Sequence, residues 1–152
     1  MKNNLFFMKI AYEQALLGLK KGEIPVGAIV VYKNEVISEA HNESINKTDP
    51  TSHAEIEAIR KAALKIGNYR LINAKMYVTL EPCLMCCGAL IHARFDKVIF
   101  STKDNKSGAV ISNGNLLEAS FVNHFVKFEQ GPLQAESSGL LKEFFRNKRS
   151  KA

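Results

Sequence analysis

The sequence predicts a three-layer α/β/α domain built on a five-stranded mixed sheet. Short apolar segments of strand length alternate with longer segments of helical period. A two-residue turn joins the first two strand segments, as in an antiparallel hairpin, and helices between the later strands allow parallel crossovers. With 152 residues, 46% of them hydrophobic, the chain is expected to fold as one domain over residues 1–152.

The N-terminal part predicts a helix and then the hairpin. Residues 4–20 carry charged side chains among apolar ones, which indicates an amphipathic helix and not a signal peptide. Residues 26–32 form an apolar strand, residues 33–34 form the turn, and residues 35–41 return as the second strand.

Two helix–strand pairs follow. Residues 53–66 have an apolar face of helical period, and the Asp-Pro-Thr-Ser sequence in front of them is typical of a helix start. Residues 75–80 predict the third strand, residues 83–94 a second helix beginning after Pro82, and residues 96–101 the fourth strand.

The C-terminal part begins with a loop at residues 102–115. A short helix at residues 116–122, a fifth strand at residues 125–129 and a terminal helix at residues 132–149 are expected after it. No apolar stretch approaches the length of a membrane span, so we expect no membrane partner.

The starts of the two central helices carry residues that bind metals. His53 begins one helix, and Cys83 begins the other, with Cys86 on the same face of its first turn. One imidazole and two thiolates can hold a zinc ion and leave its fourth tetrahedral position open. The partial positive charge of a helix N-terminus also favours thiolate over thiol.

Glu55 stands beside this predicted zinc site and is the candidate catalytic residue. Zinc lowers the pKa of bound water from about 15.7 to about 7, so hydroxide is available to attack a ring carbon that bears an amine. The ring nitrogen and the departing amine must each gain a proton, which Glu55 can take from that water and pass on. We expect Glu55 to stay outside the inner shell of the zinc ion. The pattern His-x-Glu followed by Pro-Cys-x-x-Cys is typical of zinc-dependent nucleobase deaminases.

The other cysteine and the other histidines predict no further metal ligand. Cys87 points about 100° away from Cys86 around the helix and is expected to be a packing residue. His41, His92 and His124 have no ligand-like spacing and are expected to lie on the surface or in the core with hydrogen-bond partners. A Cys-x-x-Cys pair alone also fits a redox pair or half of a structural zinc site. Three cysteines are too few for a disulfide framework, which favours a reducing cytoplasm.

The chain resembles the bacterial tRNA-specific adenosine deaminases, which have the cytidine deaminase-like fold, over nearly all of residues 23–149. The zinc motif is common to the whole superfamily, whereas the flanking segments and the tail point to the tRNA branch. The resemblance lies in residues 23–28, 49–55, 68–71, 77–86, 106–109 and 144–146. Cys87 departs from the family, which more often has Ala or Ser there.

The resemblance implies conversion of adenosine to inosine at the wobble position of a tRNA anticodon, with one zinc ion per subunit of a homodimer. It implies His53, Cys83 and Cys86 as zinc ligands and Glu55 as proton shuttle. Asn42 matches the family residue that hydrogen-bonds the target base, and Ala54 matches one that contacts it through the backbone. RNA contacts are implied for the loop after the fourth strand, at Asp104, Lys106 and Ser107.

The terminal helix carries an aromatic and basic tail that suits an RNA partner. The net charge of +6 permits a polyanionic ligand, and stacking with phosphate neutralisation is how single-stranded RNA is bound. We expect one of Phe144 and Phe145 to pack inward and the other to meet RNA or a second subunit. Phe145 and Arg149 are the candidate substrate-binding residues of this tail. The tail consists of Phe144, Phe145, Arg146, Lys148, Arg149 and Lys151. The apolar helix from residue 83 to residue 91 is a candidate for part of the dimer interface.

Two other functions stay open from the sequence. A deaminase of a free nucleobase such as guanine or cytosine would use the same zinc chemistry without needing the tail. A non-catalytic RNA-binding module would hold the zinc ion for structure alone.

Overall fold

The computed structural model describes residues 1–150, and in this range the chain forms four α-helices, five β-strands and one short 3-10 segment. The elements in chain order are α1 (Asn4–Lys20), β1 (Gly27–Tyr32), β2 (Glu35–His41), α2 (Ala54–Ile66), β3 (Lys75–Leu80), α3 (Leu84–His92), β4 (Lys97–Thr102), the 3-10 segment (Leu116–Glu118), β5 (Lys127–Gln130) and α4 (Gln134–Ser150).

The strands form one mixed sheet in the order β2-β1-β3-β4-β5, which confirms the predicted α/β fold class. The pairs β3–β4 and β4–β5 are parallel, whereas β1 runs antiparallel to both β2 and β3. Lys33 and Asn34 have φ values of 51° and 63°. Two successive left-handed residues are what a type I′ hairpin turn requires, so the predicted β1–β2 hairpin is confirmed.

Alternate residues of the strands face two different layers. Ile29 and Tyr77 pack with Met8 of α1 on one face of the sheet. Val30 and Phe100 belong to a larger cluster on the opposite face, which includes α2 and α3. Successive side chains of a strand point to opposite faces of the sheet. Because both faces are covered, the central strands are buried on both sides and their sequences are continuous apolar runs.

Four predicted elements begin or end two or more residues away from their predicted bounds. The terminal helix, predicted from residue 132, begins at Gln134, because Leu133 before it has a left-handed φ of 66°. The second central helix stops at His92 and not at residue 94, because Arg94 adopts the left-handed φ of 66° that ends a helix. The helix predicted at residues 116–122 is only the 3-10 segment, since Ala119 is already extended with ψ of 147°. The fifth strand begins at Lys127, where pairing with Lys97 of β4 starts.

Among residues 1–150, no helix combines the length and the apolar character needed to cross a membrane. Lys151, the last basic residue of the predicted tail, lies outside the described residues.

Gly27 allows α1 to lie directly against β1. A Cβ at Gly27 would overlap the carbonyl oxygen of Ala11 and lie 2.5 Å from the amide nitrogen of Ala15. Because both atoms belong to helix backbone, Gly27→Ala is expected to lower the free energy of unfolding by about 1–3 kcal/mol. Urea denaturation followed by circular dichroism measures this change.

Gly139 of α4 provides the matched control, since a Cβ there meets nothing within 4 Å. Gly139→Ala is expected to raise the free energy of unfolding by up to about 1 kcal/mol, because alanine favours a helix interior. Equal stability of the Gly27→Ala variant and the wild-type protein would contradict the close packing of α1 on the sheet.

Candidate metal-binding active site

The N-termini of α2 and α3 meet at one edge of the sheet. His53 is the N-cap of α2, with φ of −69° and ψ of 158°, and Cys83 is the N-cap of α3, with φ of −79° and ψ of 176°. Neither side chain bonds to the amides of its own helix. Each side chain therefore stays available beyond the helix end, where the helix also presents unpaired N–H groups and a partial positive charge.

His53, Cys83 and Cys86 form a ligand set of the right size for a tetrahedral metal. The Nδ1 atom of His53 lies 3.6 Å from each of the two sulfur atoms, and the three ligand atoms lie within 4.8 Å of one another. Metal–sulfur and metal–nitrogen bonds of about 2.3 and 2.0 Å at a tetrahedral angle place sulfur and nitrogen about 3.5 Å apart. Thiolate and imidazole donors at this separation fit zinc. Within residues 1–150 this is the one group of three or more such ligands.

The two cysteines of this group differ in their affinity for a proton. The contact with Cys86 lowers the pKa of Cys83 to about 4, and the same contact together with burial raises the pKa of Cys86. The contact with Cys83 raises the pKa of His53. The opposite shifts mean that the two sulfur atoms share one proton, which stays on Cys86. A divalent cation bound between the two sulfur atoms would displace this proton.

Glu55 lies in the first turn of α2 beside the ligand set but does not belong to it. Its side chain is buried, with 4% of the residue exposed, yet it lines the same cavity as His53 and Cys83. Burial raises the pKa of Glu55 to about 7. A carboxyl group in this position can exchange protons with a molecule held in the cavity.

The cavity has a volume of about 770 Å³ and runs from the ligand set to α4. Nearly all of the predicted site residues line it. They are Asn42, His53, Ala54, Glu55, Cys83, Asp104, Lys106, Ser107, Phe145 and Arg149. Cys86 is the exception, because it is fully buried behind the cavity wall.

Asn42 occupies the cavity wall directly after β2. Its backbone N–H donates to the carbonyl oxygen of Val26 at 3.1 Å, and its own carbonyl oxygen accepts from Nδ1 of His41 at 2.9 Å. The residue is buried, with 7% exposed. Since both backbone groups are bound, the position of Asn42 is fixed by the sheet edge.

One face of α4 closes the far side of the cavity. Phe145 and Arg149 were predicted there, and Ser138, Leu141 and Lys142 line the wall with them. These three residues were not predicted from the sequence. The spacing of three and four residues between positions 138, 141, 142, 145 and 149 is the helical signal that identifies them.

The other tail residues divide between the cavity and the surface. Phe144 is half-buried, and the ammonium group of Lys148 lies 5.5 Å from the centre of its ring. Phe145 is 42% exposed and meets Phe144 edge to face. Arg146 lines the cavity.

The remaining cysteine and histidines lie outside the ligand set. Cys87 is fully buried, and its sulfur lies 3.8 Å from the carbonyl oxygen of Pro82. Nε2–H of His124 donates to the carbonyl oxygen of Phe95 at 2.8 Å. His41 bonds to Asn42, and His92 is exposed at the end of α3.

The comparisons with known proteins place this geometry among deaminases. A family model described as MafB19-like deaminase matches residues 2–149. The tRNA-specific adenosine deaminase of Aquifex aeolicus is 47% identical over 145 residues, which is 95% of each chain.

Two solved structures share the fold. A structure from a study of A-to-I editing by tRNA:A34 deaminases at the wobble position has a TM-score of 0.88 and 35% identity, over 91% of this chain and all of that one. A guanine deaminase from Bacillus subtilis has a TM-score of 0.65 and 31% identity, over 96% of this chain and 95% of that one.

Proposed function

The chain belongs to the tRNA-specific adenosine deaminases, which convert adenosine to inosine at the wobble position of the anticodon, and we propose that it does so with one zinc ion held by His53, Cys83 and Cys86. The observation that carries this proposal is that one cavity joins His53, Cys83 and Glu55 to the basic residues of α4. Zinc in this position supplies a water molecule of lowered pKa for attack on the ring.

Glu55 is the proton carrier in the proposed reaction. Its carboxylate takes one proton from the attacking water as the oxygen bonds to C6 of adenine, and it delivers this proton to N1. It then takes the remaining proton of the same oxygen and delivers it to the departing amine as the C6–N bond breaks. Water and adenosine thus give inosine and ammonia. The absence of Glu55 from the ligand set supports this assignment, because a carboxylate bound to the metal could not turn towards the ring.

Asn42 and Ala54 hold the base in the proposed complex. An Asn side chain offers both a donor and an acceptor to a purine edge, and the fixed backbone of Asn42 aims it into the cavity. Ala54 lines the cavity at the first position of α2, and we assign it a contact with the base through its backbone. The target base must leave the stack of the anticodon loop to reach them.

The flanking nucleotides are assigned to the opposite side of the cavity. Asp104, Lys106 and Ser107 present polar groups from the loop after β4, and Phe145 and Arg149 present a ring and a guanidinium group from α4. Basic side chains beside an exposed aromatic ring are suited to phosphates and stacked bases. A cavity of about 770 Å³ can hold a ligand much larger than one base.

A free nucleobase such as guanine is the second candidate substrate. The likeness to the guanine deaminase of Bacillus subtilis favours it, although the TM-score of 0.65 is lower than the 0.88 of the tRNA:A34 deaminase. A free base would leave the basic wall of the cavity without a ligand, which favours the anticodon.

We also propose that the protein forms a homodimer whose interface includes α3. We further propose that it is located in the cytoplasm. Leu84 on α3 is 68% exposed, and Met85, Gly88 and Ala89 beside it are half-buried, so this helix keeps an apolar surface towards solvent. The three cysteines of the chain are free, as in a reducing compartment.

Glu55→Gln is expected to abolish turnover while zinc stays bound. The amide has nearly the shape of the carboxylate but cannot accept the proton of the attacking water, so kcat should fall at least about 1,000-fold. The assay is inosine formation on an anticodon stem-loop with adenosine at the wobble position, together with metal analysis. Full activity of this variant would remove Glu55 from its role.

Two cysteine variants serve as controls for the metal content in that experiment. Cys86→Ala should lose both zinc and activity, because two ligands do not hold the ion at neutral pH. Cys87→Ala should keep both, since the sulfur of Cys87 lies outside the ligand set. Zinc loss from Cys87→Ala alone would contradict the ligand assignment.

Removal of the residues after Leu141 is expected to separate the two candidate substrates. The shortened chain loses Phe145 and Arg149, and its activity on the stem-loop should fall at least about tenfold. The same preparations are incubated with guanine, cytosine and cytidine, and ammonia is measured. Rapid release of ammonia from guanine by both chains, with no inosine in the stem-loop, would establish the free base as the substrate.

Leu84→Glu is expected to convert the proposed dimer into a monomer. A carboxylate at this exposed apolar position would have to be buried without a partner in the interface. Size-exclusion chromatography with light scattering gives the mass of the variant and of the wild-type protein. Lys61→Glu on α2 is the matched control for a new exposed charge, and it should leave the mass unchanged.

A further inference from the structure

One buried carboxylate organises the second half of the loop that follows β4. Glu81 lies between the end of β3 and Pro82, and only 2% of it is exposed. Its Oε2 atom accepts three successive backbone N–H groups, from Val110 at 3.0 Å, Ile111 at 2.7 Å and Ser112 at 2.9 Å. Three consecutive amides aimed at one oxygen form a concave anion site that the chain fills with its own side chain.

The other oxygen of Glu81 fixes the first half of the same loop. Oε1 accepts the backbone N–H of Asp104 at 3.1 Å and the hydroxyl of Ser112 at 2.5 Å. The carboxylate of Asp104 then accepts the backbone N–H groups of Lys106 at 3.1 Å and Ser107 at 3.2 Å. The three residues that we assign to RNA are therefore tied to Glu81 through one turn.

Gly108 lets the loop approach this closely. A Cβ at Gly108 would overlap the carboxylate of Glu81 and lie 2.6 Å from the carbonyl oxygen of Asp104. Next to it, the N–H of Ala109 donates to the carbonyl oxygen of Pro82 at 2.9 Å, and Gly108 pairs with Cys83 in an isolated β-bridge. The loop is thus joined to the segment that carries a metal ligand.

Each group bonded to Glu81 is a donor, which makes the carboxylate difficult to replace. An ionised carboxylate only accepts hydrogen bonds, whereas the amide of glutamine would direct N–H groups at some of these donors. If the amide oxygen stays with the three successive amides, its NH₂ group faces the N–H of Asp104. The substitution therefore acts on the end of the loop that lines the cavity.

We infer that Glu81 is a positioning residue for anticodon binding, which holds Asp104, Lys106 and Ser107 at a fixed place relative to the metal site. This inference rests on the function proposed above. Glu81 does not touch the substrate, and its effect passes through the hydrogen bonds of the loop. The loop then meets the RNA already ordered, which lowers the entropic cost of binding.

The test is Glu81→Gln, measured with the stem-loop substrate. We expect KM and the Kd for the RNA to rise about tenfold while kcat changes less than about threefold and zinc content is unchanged. Hydrogen exchange should become at least about tenfold faster at the amides of Asp104, Val110, Ile111 and Ser112 and stay the same in β1 and β3.

Gly108→Ala reaches the same contact from the loop side, because its Cβ displaces the loop from the carboxylate. This variant should give the same rise of KM and the same acceleration of hydrogen exchange at the amides of the loop. Ile99→Val is the control for a general loss of stability, since Ile99 is buried on the face of the sheet that packs against α1. This control should lower the Tm and leave KM and the exchange of the loop unchanged.

Two results would overturn the inference. One is a KM and a loop exchange rate within about twofold of wild type in both loop variants. The other is loss of zinc and kcat with unchanged RNA affinity, which would place the role of Glu81 at the metal site. Failure of the wild-type protein to form inosine would contradict the proposed function instead, and the exchange data would still decide whether Glu81 orders the loop.

Discussion

The site depends on two proposed metal ligands that are also N-cap residues. An N-cap side chain usually accepts a hydrogen bond from its own helix, but His53 and Cys83 do not, and both point at a common position. This arrangement fixes where α2 and α3 must begin relative to each other. It also aims two helix N-termini at the place where a thiolate pair and a reacting water would carry negative charge.

Buried carboxylates give the loops around this position their shape. Burial alone would raise the pKa of Glu81 and of Glu23, but hydrogen bonds from Ser112 and from Asn46, respectively, hold each pKa below its ordinary value. Glu23 accepts the backbone N–H groups of Ile45 and Asn46 at 3.1 and 2.8 Å, in the segment that leads to His53. The loop after β4 and the segment before His53 are therefore held by charge-assisted hydrogen bonds and not by apolar packing alone.

Local spacing was enough to predict that the candidate ligand atoms of His53, Cys83 and Cys86 lie together. His53 and Glu55 are two residues apart, Cys83 and Cys86 share one helical turn, and turn residues mark both helix starts. The pairing of β1 with β3, in which Ala28 lies opposite Val78, was not predictable, because it depends on contacts about 50 residues apart along the chain. The role of Glu81 in the loop was not predictable either, since its partners lie 23 to 31 residues further along the chain. The wall formed by Ser138 and Lys142 required the position of α4 as well as its helical period.

The most direct test of the account is X-ray absorption spectroscopy at the zinc edge of the purified protein. A zinc ion held as we propose has two sulfur neighbours at about 2.3 Å, one imidazole nitrogen at about 2.0 Å and one further light atom from solvent. We predict that this fourth neighbour persists in Glu55→Gln and is replaced when a competing anion is added. A third sulfur neighbour, or a fourth protein ligand that no added anion displaces, would show a closed structural site and would contradict the account.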